Sequence, residues 1–440
     1  MSRIEPRTLK GFRDYLPQAM IPRERIMETA RRVYRSFGYA PIDTPALEYL
    51  EILTGKGSDE TDKQLYRFQD HGGRDVGLRF DLTVPLARFV AQHSAELGLP
   101  FKRYHLATVW RGENTQRGRY REFMQCDFDT IGTTGVASDI ETVLVVGELL
   151  RQIGLEQFTI RINHRGVLNG LLEKAGLAEQ STAVLRSLDK LAKIGREATL
   201  AEIQRTAGAT TAQSEQVLAL VDVTGDSAAM LTQLATITAG SERGAAGVAR
   251  LAEVIRAVEQ TPGMAGRVQL DVSIARGLDY YTGLVLETTL GELPGIGSIA
   301  SGGRYDNLAS LYTTQELPGI GASLGLDRLL SARIPAVSTP AEVFLPYFAA
   351  DKLSDYLRVA SQLRAAGFGV EFYPEPRKLG AQLKYADKRG FRAAVIIGAD
   401  EFAAGQCQLK NLSDGGSQTL TLEADAASLV AALRELVKKT

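Results

Sequence analysis

A change in composition near the middle of the chain most constrains its fold. Between about Leu172 and Val258 the residues Ala, Leu, Gln, Thr and Glu dominate, and aromatic residues vanish. A helical period of 3.6 recurs there, as in LAKIGREATLAEIQR. The segment RVQLDVSIARGLDYYTGLVLETTL then returns to the alternating and β-branched residues that are typical of strands. We therefore predict a strand-containing core that is interrupted by a helical insertion.

The C-terminal part of the chain forms a separate pattern. The segment SARIPAVSTPA, at 331–341, carries two prolines and few large apolar residues, which is typical of a linker. Beyond it, strand-like and helix-like segments alternate in βαβ order. A chain of 440 residues has room for about three domains. We predict a large domain over 1–330, a linker over 331–341 and a small α/β domain over 342–440.

Composition limits the classes of function. The formal net charge of −1 argues against binding of polyanions through bulk charge, so any contact with nucleic acid must be local. No apolar run approaches the roughly 18 to 20 residues that a membrane helix needs, and the N-terminus does not resemble a secretory signal. Cys126 and Cys407 are too few and too distant for a disulfide framework or a structural zinc site. We expect a cytoplasmic protein.

Two local patterns precede the insertion. Apolar residues at helical spacing over 22–37 predict a helix that ends at Gly38, and the prolines of the following YAPIDTPALE predict an edge or interface strand. Further along, Gly112 and Gly118 bracket the polar loop ENTQR between two runs that are rich in apolar and aromatic residues. That arrangement predicts a β-hairpin.

Several familiar catalytic motifs are missing. The glycine-rich stretches at 295–297, 302–303 and 319–321 fit neither a Walker loop nor a Rossmann fingerprint in its βαβ context, so turns and close backbone approach explain them better. The spacing of the histidines does not indicate a metal site, and no Gly-x-Ser-x-Gly elbow indicates a nucleophilic hydrolase. The four histidines are His71, His93, His105 and His164.

The placement of arginine is the unusual feature. Arg276 in SIARGLDYY and Arg328 in SLGLDRLL are flanked by apolar residues, and Arg304 stands beside glycines. A guanidinium in such a place needs a partner, and a polyphosphate matches its fork. Scattered arginines without a Walker lysine suggest a nucleotide that is held by side chains. The predicted hairpin adds Arg111, Arg117, Arg119 and Arg121, interleaved with Glu113, Glu122, Asp127 and Asp129. For Arg117 and Arg121 a solvated surface is an equally good interpretation.

Seven stretches resemble the histidyl-tRNA synthetases of class II. VWRGENTQRGRYREFMQCDFDTIG resembles motif 2, GIGASLGLDRLL resembles motif 3, and the helix with YAPIDTPALE resembles motif 1, the dimer element. ARGLDYYTG and SIASGGRYDNL resemble the two peptides specific to the family, and LRFDLTVPLAR resembles its amino-acid-binding segment. RKLGAQLKYADKRGFRAAVIIG resembles the anticodon-binding domain. The resemblance implies an α+β fold: an antiparallel sheet flanked by helices, a helical insertion at about 172–258, and a C-terminal α/β anticodon-binding domain.

The resemblance implies activation of histidine by ATP, followed by transfer of histidine to tRNA(His). It places Arg111 and Arg276 on the α-phosphate as the catalytic pair, and Mg²⁺ on the leaving pyrophosphate rather than on protein side chains. It assigns Arg111, Glu113, Arg119 and Arg328 to ATP binding. It assigns Asp81, Thr83, Gln125, Asp129, Tyr280 and Tyr281 to the histidine site, with the first three on the α-amino group.

The chemistry of imidazole agrees with two of those assignments. A neutral imidazole offers one N–H donor and one bare nitrogen, which complement a carboxylate at Asp129 and a phenol at Tyr281. A buried site of this kind leaves a polar group unpaired when an analogue binds, and can discriminate by roughly 10⁴ or more. No protein base is needed in the first step, because the substrate carboxylate is already ionised.

Two alternatives remain open at this point. A histidine-sensing regulatory subunit of ATP phosphoribosyltransferase shares the catalytic fold, but it typically lacks the anticodon domain and loses motif arginines, which this chain keeps. A free-standing paralogue could adenylate histidine for an acceptor other than tRNA. The sequence also departs from many bacterial members at Asn114-Thr115-Gln116, which replaces Arg-Pro-Gln, and at Asp81, which replaces glutamate. A homodimer is implied, and Arg377, Lys378, Lys384, Lys388 and Arg389 are candidates for RNA contact.

Overall fold

A computed structural model describes residues 3–54, 63–115, 118–188, 190–274, 281–331 and 339–438 of the protein. The chain divides into two compact units, Met1–Arg13 with Arg25–Ile334 and Asp14–Glu24 with Pro335–Thr440. Within the described ranges, no helix combines the length and the apolar character that crossing a bilayer requires.

The part of the chain before residue 332 contains eleven described strands. They are β1 (Ala40–Pro41), β2 (Leu47–Tyr49), β3 (Arg67–Gln69), β4 (Asp75–Leu78), β5 (Phe101–Trp110), β6 (Glu122–Ile131), β7 (Phe158–His164), β8 (Val268–Leu270), β9 (Leu284–Leu290), β10 (Ala300–Arg304) and β11 (Gly319–Gly325).

The described α-helices of the same part number twelve. They are α1 (Pro17–Ser36), α2 (Leu50–Thr54), α3 (Thr83–His93), α4 (Val136–Ile153), α5 (Arg165–Lys174), α6 (Ser181–Leu188), α7 (Leu191–Ile194), α8 (Arg196–Ala207), α9 (Thr211–Leu218), α10 (Ser227–Ile237), α11 (Glu242–Glu259) and α12 (Leu326–Ser331). Short 3₁₀ turns lie at Ala178–Gln180, Pro294–Ile296 and Leu308–Leu311.

Eight strands form one large sheet in the order β1-β5-β6-β11-β10-β9-β7-β8. Its six central strands pair antiparallel, and only the edge strands β1 and β8 pair parallel to their neighbours. The predicted hairpin is confirmed, because β5 and β6 pair antiparallel from Phe101 opposite Ile131 to Trp110 opposite Glu122. The proline-containing strand β1 lies at the edge, as expected for a strand that lacks ladder donors.

The predicted N-terminal helix is confirmed, although α1 starts five residues earlier than 22–37, at Pro17. Its stripe of Ile26, Ala30, Val33 and Tyr34 is buried in the core of the first unit. The Tyr34 hydroxyl donates to the carbonyl of Cys126 on β6, 2.9 Å away. Gly38 then adopts a φ of +81°, a left-handed conformation that favours glycine at a helix end.

The predicted insertion is helical. Between β7 and β8 the described elements are α-helices and one 3₁₀ turn, and no described strand lies among them. The longest of these helices, α11, packs on α5, where a Cβ on Gly170 would lie 2.5 Å from the Cα of Gly244. Two glycines thus let these helices approach closely. Val248, Leu251, Val254 and Val258 bury the apolar face of α11 in the main core.

The sequence also predicts a helix over about Tyr305 to Leu311, after the glycine-rich stretch at 295–303, and this prediction is wrong. Residues 300–304 continue as β10, and only the 3₁₀ turn Leu308–Leu311 follows. Gly302 and Gly303 are strand residues, paired with Ala322 and Gly321 of β11. A Cβ on Gly302 would lie 2.2 Å from the carbonyl oxygen of Gly321, so these glycines serve close backbone approach, as predicted.

The second unit contains the predicted βαβ alternation. Its strands are β12 (Val343–Leu345), β13 (Val370–Phe372), β14 (Ala393–Ile396), β15 (Gln406–Asn411) and β16 (Ser417–Thr421), in the sheet order β13-β12-β14-β15-β16. Its further helices are α13 (Leu353–Ala365), α14 (Leu379–Arg389), α15 (Ala399–Ala404) and α16 (Ala427–Lys438), with a 3₁₀ turn at Ala350–Lys352. β12 pairs parallel with β13 and β14, and a separate core of buried apolar residues forms around Tyr356.

Candidate active site

A cavity of about 280 Å³ is lined mainly by β6, β9, β10 and β11 of the large sheet. Five of the six residues expected to bind histidine line it: Asp81, Thr83, Gln125, Asp129 and Tyr281. Arg111 and Arg328, which were expected to bind ATP, line the same cavity. Polar side chains from distant parts of the sequence therefore converge on one space.

The inner end of the cavity is built around Asp129. Its side chain is 3 % exposed and forms an ion pair with Arg103 of β5, at 2.6 Å, while Arg103 itself is fully buried. The Tyr305 hydroxyl donates a hydrogen bond to the other carboxylate oxygen. Burial raises the pKa of Asp129, and both Arg103 and Tyr305 oppose that rise. Burial raises the pKa of Tyr305 well above its usual range, so this phenol stays protonated as a donor.

Glycines create the space beside Asp129. In the sheet register Asp129 lies opposite Gly321, and Gly321 lies opposite Gly303, so two neighbouring positions of this row carry no side chain. A Cβ on Gly321 would lie 2.1 Å from Oδ1 of Asp129, and one on Gly303 would lie 2.9 Å from the ring of Tyr281. A small planar group could therefore lie between Asp129 and Tyr281.

Asp81 and Gln125 form another part of the wall. Oδ1 of Asp81 accepts from the backbone amides of Thr83, at 3.1 Å, and Val84, at 2.9 Å, so the start of α3 fixes this carboxylate. The Gln125 side-chain nitrogen donates to Ser323 Oγ, at 3.3 Å. Its buried Oε1 has no hydrogen-bond partner among the described residues. An acceptor and a carboxylate at this end suit an ammonium group.

Arg111 lies at the start of the loop between β5 and β6. Its Nε donates to the carbonyl of Phe80, at 3.1 Å, and its guanidinium lies 4.3 Å from the ring centre of Phe80 and 5.1 Å from that of Phe123. No carboxylate of the described residues forms an ion pair with it. The two rings and one carbonyl thus orient a positive charge towards the cavity without neutralising it.

A second cavity, of about 150 Å³, adjoins the first and shares Arg111, Gln125 and Arg328 with it. Glu113 and Arg119, which the resemblance also assigns to ATP, line this space, and Nη1 of Arg119 lies 3.7 Å from Oε2 of Glu113. Arg328 donates to the carbonyl of Ser298, at 2.6 Å. Asp81, Asp127 and Asp129 line the first cavity alone, whereas Arg111 and Arg328 line both cavities.

The outer wall is held by contacts between distant residues. Asp327 accepts from the backbone amide of Met124, at 3.0 Å, and forms an ion pair with Arg13. The Arg13 guanidinium stacks 3.6 Å above the ring of Tyr120, which lines the second cavity. Residues near both ends of the first unit therefore fix the loop that carries the ATP-side residues.

Two of the expected site residues, Arg276 and Tyr280, lie outside the described residues, as do Gln116 and Arg117. Arg304, grouped with Arg276 and Arg328 on sequence grounds, has a different role. Its buried guanidinium contacts Asp139 at 2.6 Å, Ser138 Oγ at 2.9 Å and the carbonyl of Thr133 at 2.9 Å. Its partner is thus an internal carboxylate, and the prediction of a phosphate partner is wrong for Arg304.

Sequence reasoning missed several residues of the site. Arg103, Tyr305, Asp127, Ser301 and Ser323 all line the cavity or contact its lining. The alternation of Gln125, Asp127 and Asp129 along one strand was a usable signal, because residues two apart point to the same face. Arg103 and Tyr305 gave no such signal, since their importance depends on long-range pairing.

The histidines show no sign of ligand chemistry. His164 Nδ1 accepts from the amide of Gly166, at 3.0 Å, and caps α5, and burial lowers its pKa to about 4. His105 contacts Asp43 at 2.8 Å, and burial lowers its pKa to about 4 as well. In the described part of the chain, no group of three or more His, Cys, Asp or Glu residues is placed to hold a metal ion.

Two family models and a curated relative match most of the chain. The family model described as histidyl-tRNA synthetase matches residues 11–329, and an anticodon-binding domain model matches residues 339–436. A histidine–tRNA ligase of Rhodopirellula baltica is 63% identical over 94% of this chain and 95% of its own length.

Two solved structures are also similar. A histidyl-tRNA synthetase from Nostoc superposes with a TM-score of 0.88, at 34% identity, over 100% of both chains. A protein described as an ATP phosphoribosyltransferase regulatory subunit/histidyl-tRNA synthetase, from Bacillus halodurans, has a TM-score of 0.74 at 24% identity, over 87% of this chain and 97% of its own. The second likeness concerns the fold alone. These matches over nearly the whole length show that the chain belongs to the histidyl-tRNA synthetase family, within class II of the aminoacyl-tRNA synthetases.

Proposed function

We propose that this protein is a histidine–tRNA ligase that activates L-histidine with ATP and transfers it to the 3'-terminal adenosine of tRNA(His). One observation carries the proposal: a glycine-floored space between Asp129 and Tyr281 adjoins a space lined by Arg111 and Arg328. The first space suits an imidazole and the second suits a polyphosphate. The reaction joins the two substrates where these spaces meet.

The first step needs positive charge rather than a base. The histidine carboxylate attacks the α-phosphorus of ATP, an oxygen–phosphorus bond forms, and pyrophosphate leaves with the electrons of the broken bond. Arg111 stabilises the charge on the phosphoryl oxygens, because the contacts with Phe80 and Phe123 hold it before the substrate arrives. Arg276 is its expected partner. Arg328, Glu113 and Arg119 hold the rest of the nucleotide.

Histidine is recognised at both of its ends. Asp129 accepts the N–H of the imidazole, and the Tyr281 phenol, with Tyr280 expected nearby in the sequence, serves the other nitrogen. Asp81, Thr83 and Gln125 bind the α-ammonium group. The ion pair with Arg103 favours the ionised form of Asp129, which can then accept the imidazole N–H.

Mg²⁺ is assigned to the phosphates of ATP. Mg²⁺ usually keeps several waters and binds through substrate phosphates with one or two carboxylates, and Glu113 lines the cavity that we assign to ATP. When bound, the ion supplies charge neutralisation to the pyrophosphate. The arginines supply the positioning.

In the second step the terminal ribose hydroxyl of tRNA attacks the carbonyl of the adenylate, and AMP leaves. Residues 342–440 are assigned to anticodon binding, joined through 331–341 to a catalytic domain over 1–330. Lys378, Lys384 and Lys388 are exposed and available to RNA, whereas Arg377 pairs with Glu375 at 2.7 Å and Arg389 lies 3.5 Å from Glu371. Asn114 and Thr115 belong to the loop assigned to the acceptor end.

A cytoplasmic homodimer is the proposed form of the protein. Leu47, Tyr49 and Phe68 lie on the small sheet β2-β4-β3 and are 40 to 51% exposed. Large apolar side chains gathered on one small sheet favour a covered surface, and a second copy of this chain is the expected partner. Light scattering should give twice the mass of the chain, and Tyr49→Lys with Phe68→Lys should shift the mass towards the monomer.

The experiment that tests the function is aminoacylation of total tRNA with each of the twenty amino acids. We expect charging with histidine alone. Histidine-dependent ATP–pyrophosphate exchange without charging would indicate an adenylating paralogue, and histidine binding without exchange would indicate a regulatory subunit. Arg111→Ala should lower exchange by about 100-fold or more, while the matched surface variant Arg358→Ala should not. A chain that ends at residue 331 should keep exchange and lose most charging.

A further inference from the structure

Asp127 lies between the two ends of the proposed histidine site and has no role in it so far. It is 3 % exposed and lines the main cavity. On β6 it lies two residues from Gln125 and two residues from Asp129, so the three side chains point to the same face. Successive side chains of the three are about 7 Å apart along the strand. A substrate that reaches from Gln125 to Asp129 must pass over Asp127.

The neighbours of Asp127 form a polar row across the floor of the cavity. In the sheet register Asp127 lies opposite Ser323, and Ser323 lies opposite Ser301, and all three line the cavity. On the other side Asp127 lies opposite His105, whose ring is engaged with Asp43. Oδ1 of Asp127 has no hydrogen-bond partner among the described residues. A buried carboxylate oxygen that lacks a partner, on a residue that lines a cavity, calls for a donor from a ligand.

The local charges favour a cationic ligand. Asp81, Asp127 and Asp129 all line the cavity, and the buried cation beside them, Arg103, is in direct contact with Asp129. Arg111 and Arg328 belong to the other end of the cavity. The inner end therefore carries more carboxylates than cations among the described residues, and an ammonium group would restore the balance.

We propose that Asp127 is a specificity-determining residue that binds the α-ammonium group of histidine together with Asp81 and Gln125. This inference rests on the proposed assignment of the cavity to histidine, and deepens it. Asp127 would then reject imidazole compounds that lack the amine, because they would leave its carboxylate buried without a partner.

The contribution of Asp127 to ligand affinity should also depend on pH, because its carboxyl group can be protonated. Burial raises the pKa of this carboxyl to about 7, with a further rise from Asp129 and Asp81 and an opposing effect of Arg103 and Ser323. The other ionisable neighbours are Tyr34 of α1, whose pKa is raised in part by Asp127, and His105 of β5. An ammonium ligand favours the ionised carboxylate. The contribution of Asp127 to affinity should therefore be small at pH 6 and grow as the pH rises through about 7.

Calorimetry on the full chain, without ATP, can separate the amine from the rest of the substrate. The ligands are histidine, histamine, which keeps the amine and the imidazole, and imidazolepropionate, which lacks the amine. At pH 8, Asp127→Asn should raise the Kd for histidine and histamine by about ten- to a hundredfold, and should leave the Kd for imidazolepropionate unchanged or lower it, because that ligand then covers no unpaired carboxylate at this position. At pH 6 the rise in the Kd for histidine and histamine should be smaller.

The control is Asp355→Asn, the same substitution on the exposed surface of α13, which should leave all three affinities unchanged. The ligand imidazoles also titrate in this pH range, so each ligand is compared between the variant and the native protein at the same pH, which removes their effect. Equal losses for all three ligands, or no loss for histidine, would overturn the role of Asp127 alone. If the native protein binds none of the ligands, the assignment of the cavity to histidine fails as well.

Discussion

The phenol of Tyr305 donates a hydrogen bond to the carboxylate of Asp129 across 176 positions of sequence, at the bottom of the cavity. Tyr305 follows β10 directly, and Gly319 of β11 leaves room for its ring, since a Cβ there would lie 2.4 Å from that ring. The pair orients the carboxylate that we assign to the imidazole. The phenol donor, the carboxylate acceptor and the space for the ring therefore come from three separate segments of the chain.

Tyr305→Phe should weaken histidine recognition without removing it. The change deletes one hydrogen bond to a charged group, worth about 1.5 kcal/mol or more, so the KM for histidine in pyrophosphate exchange should rise by about tenfold or more. The KM for ATP should change little, because the phenol lies at the other end of the cavity. A larger effect on ATP than on histidine would contradict the assignment of the two ends.

Gly321→Ala should fill the imidazole space. Its Cβ would lie 2.1 Å from Asp129 Oδ1 and 2.4 Å from the carbonyl of Phe128, so the strands must move apart, at a cost of about 1–3 kcal/mol. We expect a lower melting temperature and loss of histidine binding. Gly295→Ala is the matched control, since a methyl group there would meet no atom of the described residues within 4 Å beyond its chain neighbours. Equal melting temperatures and equal histidine binding in the two variants would show that the close approach of β11 to Asp129 is not needed.

Arg304→Ala should destabilise the fold and not the chemistry directly. Removal of the guanidinium leaves Asp139 buried, with only Arg250 nearby at 3.5 Å, which costs about 3–5 kcal/mol. Thermal denaturation measures the loss. Replacing both residues, as Arg304→Met with Asp139→Leu, should recover part of it, because no unpaired charge remains. A stable single variant that lacks ATP binding would restore the phosphate interpretation.

His164→Asn should reduce the loss of stability that the protein undergoes as the pH falls below about 6.5. The pKa of about 4 in the folded protein lies below the 6.5 of an unfolded chain, so the unfolded state takes up the proton first. Neutral His164 makes its full contribution to the free energy of unfolding above about pH 6.5. That contribution falls by up to about 3 kcal/mol as the pH decreases to about 4. Asparagine can keep the cap on α5 without titrating.

Melting temperatures at pH 7 and pH 5 test this prediction. The native protein should lose more stability between these values than the His164→Asn variant. The matched control is His71→Asn, the same substitution at an exposed position. Parallel curves for the native protein and the His164→Asn variant would contradict the prediction.

Sequence patterns predicted what depends on local order. The stripe on α1, the hairpin of β5 and β6 and the helical insertion follow from periodicity, and the resemblance supplied the residues that line the cavity. Arg304 was misread because its partner Asp139 lies 165 positions away, and an isolated guanidinium looks the same beside a phosphate or a carboxylate. The role of Tyr305 was missed for the same reason. Periodicity also could not tell the glycine strand β10 from a loop, because glycine carries no side chain to alternate.

The contact of Arg13 with Asp327 has a consequence for biosynthesis. These residues are 314 positions apart, and Arg13 also stacks on Tyr120. A ribosome must therefore deliver nearly the whole catalytic part before the loop that follows β5 can be fastened, so the nucleotide pocket closes late in translation. Contacts between residues so far apart in sequence form slowly, because the entropic cost of closing the long intervening loop comes before the contact is gained.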